Sequence, residues 1–207
     1  MTQTRIWITT LCFAVAGIAG PSVLAQDTHF KIYGGAAYVA PMSDSDVTLG
    51  SLSDTIKTEQ HVGWNLGVEG RFTPWIGVEI DYVRATQDVK FGGSTIGDTT
   101  FSPLTATFDI HVVHTKVVDF YLGPSYSYVN WGAIHLNSTG PGPFVSSELG
   151  TDSTHGWGAS LGLDIGIGKH FAIQGGLKYL DVDLTLNNGQ NASVRPLVGR
   201  LGVAGRF

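Results

Sequence analysis

The chain has 207 residues, with 12 Lys and Arg against 17 Asp and Glu and a formal net charge of −5, and no basic cluster offsets that balance. This excludes a nucleic-acid partner. The length suits one domain behind a leader. The only cysteine, Cys12, lies in the first 25 residues, so the remainder must hold together without disulfides.

Residues 1–25 are predicted to be a cleaved signal peptide. Arg5 gives a small positive start, Ile6 to Gly20 an apolar run, and Ala25 a small residue at the cleavage point. The run is too short and wrongly flanked for a stable membrane span. Residues 26–207 are then a single domain with 11 basic and 17 acidic residues. After the leader, no apolar run approaches the ~18 residues a membrane helix needs.

Period-two alternation runs along nearly all of this domain and predicts eight strands. The first sets Phe30, Ile32, Gly34, Ala36 and Tyr38 against Lys31, Tyr33 and Gly35. The second sets Trp64, Leu66, Val68, Gly70 and Phe72 against Asn65, Gly67, Glu69 and Arg71. The third puts Ile76, Val78, Ile80 and Tyr82 opposite Gly77, Glu79 and Asp81, and the fourth puts Leu104 to Val112 opposite Thr105, Thr107, Asp109 and His111. In the fifth, Val118, Phe120, Leu122, Tyr126 and Tyr128 face away from Asp119, Gly123, Ser125 and Ser127. The sixth runs from Trp157 to Ile167 against Ser160, Gly162 and Asp164. The seventh sets Phe171, Ile173, Leu177 and Tyr179 against Gln174 and Lys178, and the eighth Leu197 to Phe207 against Val198, Arg200, Gly202 and Arg206.

Tight connections at 73–75, 114–115 and 168–170 alternate with mostly longer polar ones, including those after the first, third and fifth strands. The pattern is that of an eight-stranded antiparallel up-and-down barrel with two unlike rims. Alternation alone leaves a soluble lipocalin-like barrel open beside a transmembrane one. The bulk of the apolar face favours lipid outside, since the polar face is small enough to fill a narrow lumen. Aromatics at strand ends make two girdles, as rings at lipid–water interfaces do. Phe72, Phe171 and Phe207 fall toward the tight-turn rim, and Tyr38, Trp64, Tyr82, Tyr128, Trp157 and Tyr179 toward the other. The strand ending on Phe207 resembles the signal by which bacterial outer-membrane barrels are recognised. Phe207 is the expected contact for the assembly machinery of a Gram-negative outer membrane.

Several stretches resemble the OmpW family: "GGAAYVAP", "FTPWIGVEI", "YLGPSYSYVNW", "GWGASLGLDIGI", "LKYLDVDL" and the terminal "GRF". The likeness lies in their order and spacing across residues 26–207. It implies an eight-stranded outer-membrane barrel with a narrow lumen, associated with uptake of small hydrophobic molecules, alkanes among them in some relatives. Two positions depart from it: Lys178, where some relatives carry a bulky apolar lumen residue, and "AGRF", where an aromatic often precedes the arginine.

Twelve ionisable residues share the inward parity: Lys31, Glu69, Arg71, Glu79, Asp81, Asp109, His111, Asp119, Asp164, Lys178, Arg200 and Arg206. In a narrow lumen opposite charges are expected to pair, as a fixed plug or as a gate that rearranges. Nearer the longer loops the inward positions turn apolar at Val83, Ala85, Leu180, Val182 and Leu184. They form either an apolar pocket at the mouth, able to receive a greasy ligand, or a small core that stiffens the rim. Pro103 and Pro124 cannot donate to a ladder and mark a candidate lateral exit through the wall of strands three to five. His61, His135 and His155 lack metal-ligand spacing and read as isolated surface residues. No motif calls for a cofactor, and no nucleophile, base and acid fall together to suggest an enzyme.

The sequence therefore predicts passive uptake of a small hydrophobic solute, with membrane lipid as the outer partner. A barrel that displays its loops to stress agents, phage or host surfaces without transport is the other reading.

Overall fold

The computed structural model describes residues 30–42, 45–49, 52–58, 60–91, 94–115, 117–136, 148–149, 151–186 and 191–207. The proposed leader lies outside them. Eight long strands carry the fold: β1 (Phe30–Pro41), β2 (His61–Thr73), β3 (Ile76–Phe91), β4 (Ser94–His114), β5 (Val118–Trp131), β6 (Thr154–Ile167), β7 (Phe171–Leu186) and β8 (Pro196–Arg206). Each pairs antiparallel with its neighbours in sequence, and β1 pairs with β8 from Lys31↔Arg206 to Pro41↔Pro196. The sheet is thus a closed barrel with no free edge, the condition for strands to stand in hydrocarbon with every backbone group satisfied.

The parity read from the sequence holds throughout. Leu66, Ile110, Leu122, Leu163, Ile173 and Val203 are exposed on the outer wall, while Lys31, Glu69, Asp109, Asp164 and Lys178 are buried inside. Outward Leu and Ile with inward Gly, Ser and Thr is an inverted soluble protein, stable only where the outer solvent is itself apolar.

Two connections differ from the sequence reading. β3 continues to Phe91 and β4 starts at Ser94, so the long third-to-fourth loop is a tall hairpin with residues 92–93 between its arms. The two arms pair from Ala85↔Phe101 to Phe91↔Ser94, with a register shift between Val89 and Lys90. A second hairpin, Ser45–Leu49 with Leu52–Thr58, adds to it through Ile56↔Phe91. At the other end β4 runs to His114 and β5 starts at Val118, so His114 belongs to the strand rather than to the turn. The Thr115 hydroxyl closes it by accepting from the Val118 amide at 2.8 Å. Gly168, at φ 74°, supplies the left-handed residue for the β6–β7 turn.

Candidate functional site

Eleven of the twelve ionisable residues on the inward parity are buried in the lumen, and the twelfth, Arg206, lies at its lower edge. They form two ion-pair groups. In the lower one Glu69, from β2, takes Lys31 Nζ at 2.5 Å, Arg71 Nε at 2.7 Å and His111 Nε2 at 3.1 Å. Arg71 also reaches Asp119, whose other oxygen lies 2.8 Å from His111 Nδ1. Lys31 bridges across the barrel to Asp164 Oδ2 at 3.0 Å. In the upper group Arg200 Nη1 donates to Glu79 Oε1 at 2.9 Å, and Lys178 ties Glu79 to Asp81.

Two tyrosines that parity alone did not single out join the groups. Arg200 Nη1 donates to Tyr33 OH at 2.8 Å, and the Lys31 ammonium stands 4.5 Å over the Tyr121 ring. Each ring lies against an inward glycine. A Cβ at Gly67 would meet the Tyr33 ring at 2.3 Å, and one at Gly162 the Tyr121 ring at 2.2 Å. Those glycines provide the space that the plug fills.

Asp109 departs from the expected pairing. It is fully buried, and both its oxygens lack a hydrogen-bond partner among the described residues. It brings a carboxylate oxygen within 4.8 Å of oxygens of Glu69 and Glu79. Three carboxylates at that spacing have the geometry to hold a cation. Yet Lys31, Arg71 and His111 already occupy Glu69, while Lys178 and Arg200 occupy Glu79, so the group is an interior of fixed countercharges.

Above the plug the inward side chains become apolar. Val83, Ala85, Leu180 and Val182 are buried, joined by Val39, Phe101, Val129, Trp131 and Val198. None is more than 3% exposed, so this layer is packed shut rather than an open pocket, and the Phe101 and Trp131 rings meet in it at a tilt with centroids 4.9 Å apart. The side chain of Leu184 falls outside the described residues.

The prolines meet this layer. Pro103 points inward, level with Val129 on β5. The β3–β4 ladder stops at Tyr82↔Leu104 and resumes at Ala85↔Phe101, skipping two rungs, one of which Pro103 would share with Val83. Pro124 faces outward, and the β4–β5 ladder lapses beside it between Thr107↔Ser125 and Ile110↔Leu122. β4 is therefore under-bonded on both sides, because neither proline has an amide to give. The wall is weakened but not open: a Cβ at Gly123 would lie 1.7 Å from the Phe108 carbonyl oxygen.

Below the plug a cavity of about 780 Å³ opens at the tight-turn rim, lined by Lys31, Arg71, His114, Lys169, Arg206 and Phe207 among others. Its floor is the lower ion-pair group.

Residues 9–207 match the family model of the outer membrane protein beta-barrel domain. The chain belongs to that family. Its outer wall therefore faces outer-membrane lipid, the tight-turn rim the periplasm and the longer loops the cell exterior. Among solved structures it is similar to the outer membrane protein OprG from Pseudomonas aeruginosa, with a TM-score of 0.73 and 20% identity over 86% of this chain and 95% of that one. It is also similar to the outer membrane protein AlkL as seen in DMPC bilayers, at TM-score 0.59 and 12% identity over 87% of this chain and 89% of that one. Neisserial surface protein A matches at TM-score 0.57 and 15% identity, over 87% of this chain and 97% of that one. At these identities the likeness is one of fold. No curated protein matches the chain significantly.

In this outer-membrane barrel all nine expected girdle residues stand on the outer wall. Tyr126 belongs with them, and its outward parity could have placed it there. His155 is not isolated: its ring lies 5.1 Å from that of Tyr128.

Proposed function

We propose that this barrel, akin to the OmpW family, admits small hydrophobic molecules from the exterior and releases them sideways into the membrane above the plug. One observation carries the reading. The packed apolar layer meets the barrel wall at Val83, Pro103 and Val129, where the β3–β4 ladder skips two rungs. An apolar solute in the lumen below would have to part the ion pairs of Glu69, Arg71, Asp81, Lys178 and Arg200 and pass buried Asp109 without compensating them, whereas the side wall leads from an apolar layer to lipid. The layer is closed at rest, so the solute must part it on entry. Export of the chain removes residues 1–25, and Phe207, exposed at the periplasmic rim, is the contact for the assembly machinery.

The barrel is not an enzyme on this reading. Both ring nitrogens of His111 are taken by carboxylates, which leaves none to activate a nucleophile.

Flux of a hydrophobic solute into protein-bearing liposomes tests the proposal. Leu180→Asp, which puts a charge in the layer, is expected to abolish flux while the barrel still folds. Cysteine pairs at Thr86 with Thr100 and at Ser102 with Asn130, partners across the two ladders, are expected to block flux when oxidised and restore it when reduced. Unchanged flux through the sealed wall would restore the axial route, and unchanged flux in Leu180→Asp would leave a barrel that only displays its loops.

A further inference from the structure

One part of the outer wall is unlike the rest of the girdle. Tyr126 and Tyr128 on β5 stand directly across from Trp157 and His155 on β6. The four rings form one surface. Tyr126 lies edge-on to Trp157 at 4.9 Å between centroids and stacks near-parallel on His155 at 5.8 Å, while Tyr128 leans on His155 at 5.1 Å. Trp157 is 69% exposed, the most open tryptophan among the described residues. A girdle ring needs only to sit at the interface. A histidine stacked among three such rings adds polarity that hydrocarbon would penalise, so this surface stands in a wet, polar layer.

Its height agrees. Trp157 stands ten residues along β6 from Ile167, beside the periplasmic turn. At ~3.3 Å per residue and a tilt of about 40°, that rise is roughly 25 Å, the full apolar band. The surface therefore meets headgroups of the outer leaflet, continuous with the lipid-facing Leu122, Leu161 and Leu163 beneath it. Beside it on β7, Asp181 pairs with Trp157 across the strands and holds Arg195 Nε at 3.2 Å, both side chains more than half exposed. Flat electron-rich rings flanked by an exposed carboxylate and guanidinium match one chemistry. The rings cover the C–H face of a sugar, the carboxylate accepts from its hydroxyls, and the guanidinium takes a phosphate.

We propose that the Tyr126–Tyr128–His155–Trp157 surface, with Asp181 and Arg195, binds the phosphorylated amino-sugar headgroup of the glycolipid in the outer leaflet. Neither the family nor the uptake reading requires it. The barrel is anchored in rotation by this contact, with one chosen wall turned to a bound glycolipid.

The test uses the refolded barrel in nanodiscs of phospholipid alone and of phospholipid with purified lipopolysaccharide, with native mass spectrometry counting retained lipids. Wild type is expected to keep a lipid A adduct in preference to phospholipid. The double variant W157L/Y126L, which stays apolar but loses both faces, is expected to lower retention by about tenfold, the scale of one or two lost aromatic contacts. Trp64→Leu, at similar height on another wall, is expected to leave it unchanged, and Arg195→Gln to weaken phosphorylated lipid A more than its dephosphorylated form. A heat-modifiability gel confirms that each variant is folded. Equal retention by W157L/Y126L and wild type, or an equal loss in Trp64→Leu, would overturn the site. Retention of phospholipid as strongly as lipid A would overturn its sugar chemistry. Tighter binding of a soluble neutral oligosaccharide than of deacylated lipid A headgroup would overturn the outer-leaflet source.

Discussion

Glu69→Gln is expected to lower the unfolding free energy of the barrel by about 3–5 kcal/mol, the cost of leaving buried countercharges without their partner. The side chain changes by one atom, so packing is nearly preserved and the loss is electrostatic. Lys31, Arg71 and His111 all converge on this carboxylate, and each is buried. Asp109→Asn is expected to act in the opposite direction. It replaces a buried carboxyl that has no partner, and its new amide can donate to Glu79 Oε2, which is unsatisfied. A gain of about 1–2 kcal/mol is the expected scale for one buried hydrogen bond and relief of repulsion. Urea unfolding in detergent micelles or liposomes measures both. If the two variants moved stability in the same direction, the plug would not be held by the pairs described.

Leu163→Arg is expected to destabilise the folded barrel by ~2–4 kcal/mol, because its outward side chain faces the middle of the bilayer. Leu122→Arg is expected to behave alike. Inward Ser125→Arg makes a poor mild control, since Ser125 is buried with its Oγ only 2.8 Å from where a Gly158 Cβ would stand, so an arginine there overpacks the lumen. Bilayer thickness separates the two costs. Folding into thinner bilayers should relieve Leu163→Arg, whose guanidinium then reaches water, and leave Ser125→Arg unchanged. A Leu163→Arg penalty that did not depend on thickness would deny the lipid-facing assignment.

Much of this architecture was legible because strand parity has a period of two and one face is apolar. Once Leu163 is outward, Asp164 must be inward, and the lumen charges follow without further information. What parity cannot give is how far a side chain reaches across the lumen. Lys31 could be placed inside, but its meeting with Asp164 depends on barrel closure and strand stagger. The missing partner of Asp109 was illegible for the same reason, since a count of inward charges does not assign neighbours. Tyr33 was read on the inward face but not counted with the charges, and Tyr121 was passed over because tyrosine satisfies either face. The closed apolar layer needed the volumes of Phe101 and Trp131, which sit in stretches that read as loop or strand end. The tall β3–β4 hairpin was missed because Gly, Ser, Thr and Asp dominate its arms, residues that signal turns when no pairing partner is known.

The plug also constrains how the barrel comes to exist. Its contacts join residues far apart in the chain: Lys31 with Asp164 across 133 positions, Lys178 with Glu79 across 99, and Arg200 with Tyr33 across 167. None of them can form in a flat partial sheet: Lys31–Asp164 and Lys178–Glu79 join strands that are not neighbours, and Arg200–Tyr33 spans the seam where β8 meets β1. Until β8 meets β1, a nascent sheet would present these charges unpaired to whatever surrounds it, and hydrocarbon is the worst such medium. Insertion strand by strand is thereby disfavoured, and the chain is committed to roll up in a wet or sheltered place and enter the membrane as a near-complete cylinder. Loop closure over such separations is slow, so the contacts that block the lumen in the mature protein form only as the barrel closes.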